Sequence, residues 1–66
     1  MSTYKVIELI GTSEKSWEEA AKTAVMRAAD TLEDLRIAEV VSQDLKIEGD
    51  QITYRTKLSL SFRYKD

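Results

Sequence analysis

The sequence has no cysteine and no histidine, only two glycines, and few aromatic residues: one tryptophan, three tyrosines and one phenylalanine among 66 residues. Without cysteine no disulfide can staple so short a chain, and without cysteine or histidine the usual zinc and iron centres are excluded. Neither sign of charge dominates. Ten basic residues against twelve acidic ones leave a net charge of -2, which argues against nucleic acid, whose phosphates select for a basic face. No apolar run approaches the roughly 18 residues of a membrane span. The opening MSTYK leads into an apolar run broken at Glu8, so it has no signal-peptide core. A cytoplasmic protein with neither nucleic acid nor membrane as partner is expected.

What is present reads as one folded domain over residues 1–66. A hydrophobic fraction of 42% with 33% charged residues is globular, not disordered. A domain of this size buries only about 60% of its unfolded surface by itself. With disulfides and metal clusters excluded, association with other copies is the remaining source of stability.

Residues 4–10 (YKVIELI) are rich in β-branched side chains and stop at Gly11, which predicts a first strand. Gly11 would let the chain reverse if its φ were positive, with Thr12 and Ser13 satisfying turn amides. Ser16 is a good N-cap, and Glu19 three residues later completes a capping box, with Glu18 and Glu19 at the positive end of the helix dipole. Trp17, Ala20, Ala21, Ala24, Val25, Ala28, Leu32 and Leu35 recur at helical spacing, predicting a helix over 17–35 whose alanine-rich stripe lies close to a sheet. In residues 52–64 every even position is apolar or threonine and every odd one polar, a half-buried strand. Residues 36–47 form the strand before it, with Ile37, Val41, Leu45 and Ile47 on one face and Ala38 and Val40 on the other. Glu48-Gly49-Asp50-Gln51 supplies the hairpin turn.

The expected fold is α+β: a β-α-β-β subunit whose three-stranded antiparallel sheet wraps on one helix, with the third strand in the middle. One helix cannot cover strands of about 40 Å. An overhanging hairpin and a second sheet face are left for other subunits or water.

The order KVIELIGTSEKSWEEAAKTAVMRAADTL, AEVVSQDLKI, ITYRTKLSLSFRYKD resembles the dodecin family over essentially the whole chain. The G-T-S turn before an alanine-rich helix, AEV in the second strand and SF in the third carry the resemblance by their order and spacing. It implies a β-α-β-β subunit, twelve of which close into a hollow shell. It also implies flavin (FMN or riboflavin) binding and storage without catalysis. In flavin-binding members the resemblance places a tryptophan, stacked on the flavin ring, where Ile37 stands, and a glutamine where Arg55 stands. Ile37 has no π face, and Arg55 only donates hydrogen bonds. IGTS, SWE, the aliphatic Ile37 and ITYR with Arg55 resemble instead the calcium dodecin branch, associated with Ca²⁺ in place of flavin. No EF-hand spacing accompanies it, so carboxylates or carbonyls of symmetry mates would have to form any calcium site.

Ile37 and Arg55 are therefore the candidate ligand pocket. Arg55, Lys57 and Arg63 on the polar side of the third strand make either an anion-binding rim or a row paired with Glu39 and Asp44 across strands. Asp30, Glu33 and Asp34, at i, i+3 and i+4 of the expected helix, could hold a hard cation, against the alternative of a solvated acidic patch near Arg27. Asp44, Glu48 and Asp50 carry the same ambiguity. Trp17 is a core or interface anchor before it is a ligand-stacking residue. Ser13 and Ser16 have no base in sight and a capping role that accounts for them, so no enzyme is expected. The first expectation is a non-catalytic shell protein binding or storing a small ligand or cation, calcium included. Its alternatives are a flavin carrier that tolerates Ile37, and an oligomeric interaction protein with an empty pocket.

Overall fold

The computed structural model describes residues 2–32 and 35–63. Strand β1 (Tyr4–Ser13) leads through a short turn into helix α1 (Trp17–Ala29), followed by β2 (Leu35–Glu48) and β3 (Gln51–Arg63). The sheet order is β1-β3-β2, antiparallel throughout, with the last strand in the centre as the β-α-β-β pattern requires. The molecule is long and thin, 50 × 20 × 14 Å, because a hairpin of long strands outruns its helix. Thirteen helical residues rise about 20 Å, whereas thirteen strand residues extend about 43 Å.

The helix packs on β1 and β3 and barely touches β2. Its buried residues, Ala20, Ala24 and Ala28, recur every fourth position, and Ala24 and Ala28 meet Leu58 and Leu60, both 1% exposed. Ile7, Leu9, Ala21, Val25, Leu32 and Leu35 close the core around them. Trp17, Ala20, Ala21, Ala24, Val25, Ala28 and Leu32 all face inward, so the helical stripe read from the spacing is the packed one.

Four local expectations are corrected. The first strand does not stop at Gly11; it continues to Ser13, with Gly11 opposite Thr56. Gly11 is small because the helix crosses there: a Cβ would overlap the Ala20 carbonyl oxygen. The residue with positive φ is Gly49, at 57°, in the two-residue turn between Glu48 and Gln51. The helix ends at Ala29, six residues before the expected end at Leu35. There Asp30 donates its amide to the Arg27 carbonyl, while the Thr31 and Leu32 amides both reach Ala28, a tightened last turn. The capping box is half made: Ser16 Oγ accepts from the Glu19 amide at 3.0 Å. The Glu19 carboxylate makes no return bond and stays at the exposed helix surface, where water competes for it.

The fourth correction concerns β2. Val41 has no partner in β3, and the register shifts between Val40 and Ser42. An unpaired residue of this kind flips the alternation of everything beyond it. Ala38, Val40, Leu45 and Ile47 therefore share the helix-side face opposite Leu60, Leu58, Tyr54 and Ile52, and Ile37 lies on the other face opposite Ser61.

Candidate ligand-binding face

The face turned away from the helix is set by pairing alone. Across the sheet it reads Val6, Ser61 and Ile37 in one row, Glu8, Ser59 and Glu39 in the next, then Ile10, Lys57 and Ser42, and finally Thr12, Arg55 and Asp44. Ile37 and Arg55 share this face but sit far apart. Ser61, the β3 residue opposite Ile37, is six residues from Arg55 along the strand, about 20 Å. A cleft of about 110 Å³ lined by Val25, Leu35, Arg36, Ile37, Ala38 and Leu60 holds Ile37 without Arg55. One subunit does not bring the two candidate pocket residues together.

Arg55 and Lys57 each have an acid. Arg55 Nε donates to Asp44 Oδ1 at 2.6 Å and Nη2 to Oδ2 at 2.9 Å, a two-pronged pair across β2 and β3. Lys57 Nζ lies 3.5 Å from Glu8 Oε1 on β1. Further along β2, Lys46 Nζ lies 2.9 Å from Glu48 Oε1. The Arg55 guanidinium, through its hydrogen bonds, holds the Asp44 carboxyl below the usual carboxylate range, and Asp44 in turn raises Arg55. Arg63, opposite Tyr4, makes no ion pair among the described residues.

Trp17 ties the opposite side of the sheet to the same spot. Its Nε1 donates to the Asp44 carbonyl oxygen at 3.0 Å. Its ring stands edge-on to Tyr54 with centroids 5.1 Å apart, and its own carbonyl accepts from Thr56 Oγ1 at 2.8 Å. Trp17 thus anchors the helix to the hairpin on both sides of Arg55. Sequence reasoning missed this link, which joins a side chain to a main-chain oxygen 27 residues on. Of the two cross-strand acids expected for the basic row, Asp44 does pair with Arg55, as counting outward from the Gly49-Asp50 turn places it, whereas Lys57 pairs with Glu8 and not Glu39.

Asp30 is exposed at the helix C-cap. Glu33 and Asp34 lie outside the described residues, and α1 ends at Ala29, one residue before Asp30. Among the described residues no three acidic side chains converge on a metal position. Among the described residues no helix is long and apolar enough to cross a membrane.

An alanine-striped helix laid on a three-stranded β1-β3-β2 sheet, with a long uncovered hairpin and a charge-paired outer face, defines a small building-block subunit. The chain belongs to the dodecin family, whose model matches residues 3–65. It is 52% identical to the calcium dodecin of Mycobacterium tuberculosis over 66 residues, 98% of this chain and 93% of that one. A crystal structure of that organism's calcium dodecin, described as a calcium-chelating antigen with a novel calcium-binding site, superposes with a TM-score of 0.91. It is 51% identical, over 97% of this chain and 93% of the other. The dodecin of Streptomyces coelicolor is 36% identical with a TM-score of 0.92, over 98% of this chain and 94% of that one.

Proposed function

We propose that the protein is a non-catalytic binding and storage subunit that works as a closed homododecamer, and that its small ligand is a cation, calcium first. The observation that carries this is β2. The strand is uncovered along nearly its whole length, with Ile37, Val40, Val41, Leu45 and Ile47 each more than 40% exposed. So many apolar side chains on one uncovered strand call for neighbouring copies. Calcium enters through the 52% identical relative named for it. Hard cations take oxygen ligands, and this chain carries twelve acidic residues. The described carboxylates do not fit a calcium site within one subunit, so the oxygens would have to come from several copies.

Flavin is disfavoured on two grounds. Ile37 offers no aromatic face, and one edge of the Arg55 guanidinium is already held by Asp44. Light scattering tests the assembly: the expected mass is many times 7.5 kDa. Calorimetry with calcium on chelator-treated protein tests the ligand, with riboflavin as the contrast. A folded monomer, or yellow protein carrying stoichiometric flavin, overturns the reading.

A further inference from the structure

We propose that Asp44 is a specificity residue. It closes a phosphate-binding position centred on Arg55, so that the outer face of the hairpin refuses phosphate monoesters. The inference rests on the binding reading above in one respect, that this face meets ligands.

The argument begins with the fork geometry. A guanidinium presents two parallel N–H groups to a carboxylate or to a phosphate in the same way. Here Nε and Nη2 of Arg55 are both spent on the two oxygens of Asp44. Burial is not what protects Arg55, since its side chain is 39% exposed. An anion can reach it, but it finds the Nε–Nη2 edge taken by Asp44 and only the Nη1 hydrogens and one on Nη2 left to it.

Donors that would complete a phosphate site stand around it. Thr12 is opposite Arg55 on β1, and Lys57 is two residues further along the same face of β3, with Ser42 opposite it. Without Asp44 the group would be two cations and two hydroxyls, with Glu8 on Lys57 and Glu39 in the neighbouring row. With Asp44 in place the Arg55 charge is matched as well.

Asp44 is also fixed in a way an ordinary surface carboxylate is not. Its main-chain oxygen takes the Trp17 indole N–H from the other side of the sheet. Trp17 in turn holds Tyr54 by its ring and Thr56 by its carbonyl, the residues either side of Arg55. The two strands carrying the ion pair are therefore pinned to one helix residue. The Arg55 hydrogen bonds hold the Asp44 carboxyl below its ordinary value, so it is ionised and the closure is in force at neutral pH.

The test uses the full chain, with oligomer mass and circular dichroism recorded first so that a failure of assembly is seen separately. Asp44→Asn and Asp44→Ser are titrated with inorganic phosphate against sodium chloride of matched ionic strength. FMN and riboflavin form a second pair of probes that differ only by the phosphate. The expected result is phosphate binding roughly ten-fold tighter than in the unsubstituted protein. FMN should share that gain and riboflavin should not, and Asp44→Asn combined with Arg55→Gln should lose it. Equal phosphate affinity with and without Asp44, or a gain that survives the loss of Arg55, overturns the proposal. A measurement on the unsubstituted protein needs no variant to fold: the Arg55 Nε–H resonance should stay in place as phosphate is added. Movement of that resonance overturns the proposal just as directly.

Discussion

At Gly11 the absence of a side chain lets Ala20 press its backbone against β1, and at Trp17 one large side chain secures the hairpin to the helix. Both residues act through contacts to main-chain oxygens, Ala20 in one case and Asp44 in the other. Gly11→Ala forces a Cβ against a carbonyl that belongs to a packed helix, so the helix or the strand must shift. Overpacking of this kind costs about 1–3 kcal/mol, and a thermal melt should show a clear fall in Tm. An unchanged Tm would mean the helix is not seated as closely as described. Trp17→Phe keeps a ring beside Tyr54 but removes the indole donor and part of the ring volume. Its expected cost is about 0.5–1.5 kcal/mol in a urea titration, and a Trp17→Leu variant should cost more because the edge-on ring contact goes as well.

Among the elements, the β2–β3 hairpin is the one whose stability carries a pH signature. Arg55 lowers the Asp44 carboxyl in the folded protein below its ordinary 3.8. The pair's contribution is therefore complete above that ordinary value and disappears as the pH falls through the lowered one. Urea midpoints of the protein and of Asp44→Asn should differ at pH 7 and draw together below about pH 4. A difference that is constant down to pH 2 would remove Asp44 as the titrating group. The hairpin also marks how far sequence reasoning reaches. The period-two alternation of β3 was legible because β3 has no irregularity, and the alanine stripe because its spacing is unbroken. The bulge at Val41 was not legible: β-branched Val40 and Val41 fit either face, and only pairing with a regular partner shows which is surplus. The early helix end was hidden by Leu32 and Leu35, whose helical spacing continues past Ala29 although Leu35 opens β2. Arg55 and Asp44 could be paired by counting from the turn, whereas the Trp17 contact, being to a main-chain oxygen, leaves no mark in residue type.

For the whole molecule the controlling fact is how much apolar surface one copy leaves uncovered. Leu45, Ile47 and Ile52 lie beyond the reach of the helix, on its side of the sheet, and are 41%, 69% and 48% exposed. If neighbouring copies cover them, Ile47→Lys with Ile52→Lys should disperse the assembly into smaller species by light scattering, while the monomer core of Leu58, Leu60 and the alanines stays intact. The apparent Tm of the unsubstituted protein should rise with concentration, as for any fold tied to its oligomer. Retention of the full mass by the double variant would place the contacts elsewhere, on the outer face or the β1 edge.

The strand that completes the sheet is the last to be made. Tyr4 pairs with Arg63, and both edge strands bond only to β3. On a ribosome, β1 and β2 must therefore wait without a partner until the closing residues emerge, since neither can pair with the other in this order. The β1–β3 contacts, distant along the chain, form late and slowly, and unpaired strands in crowded surroundings find the wrong partners. A chain interrupted before Gln51 is thus not a smaller version of this subunit; it has a helix and two loose strands but no sheet.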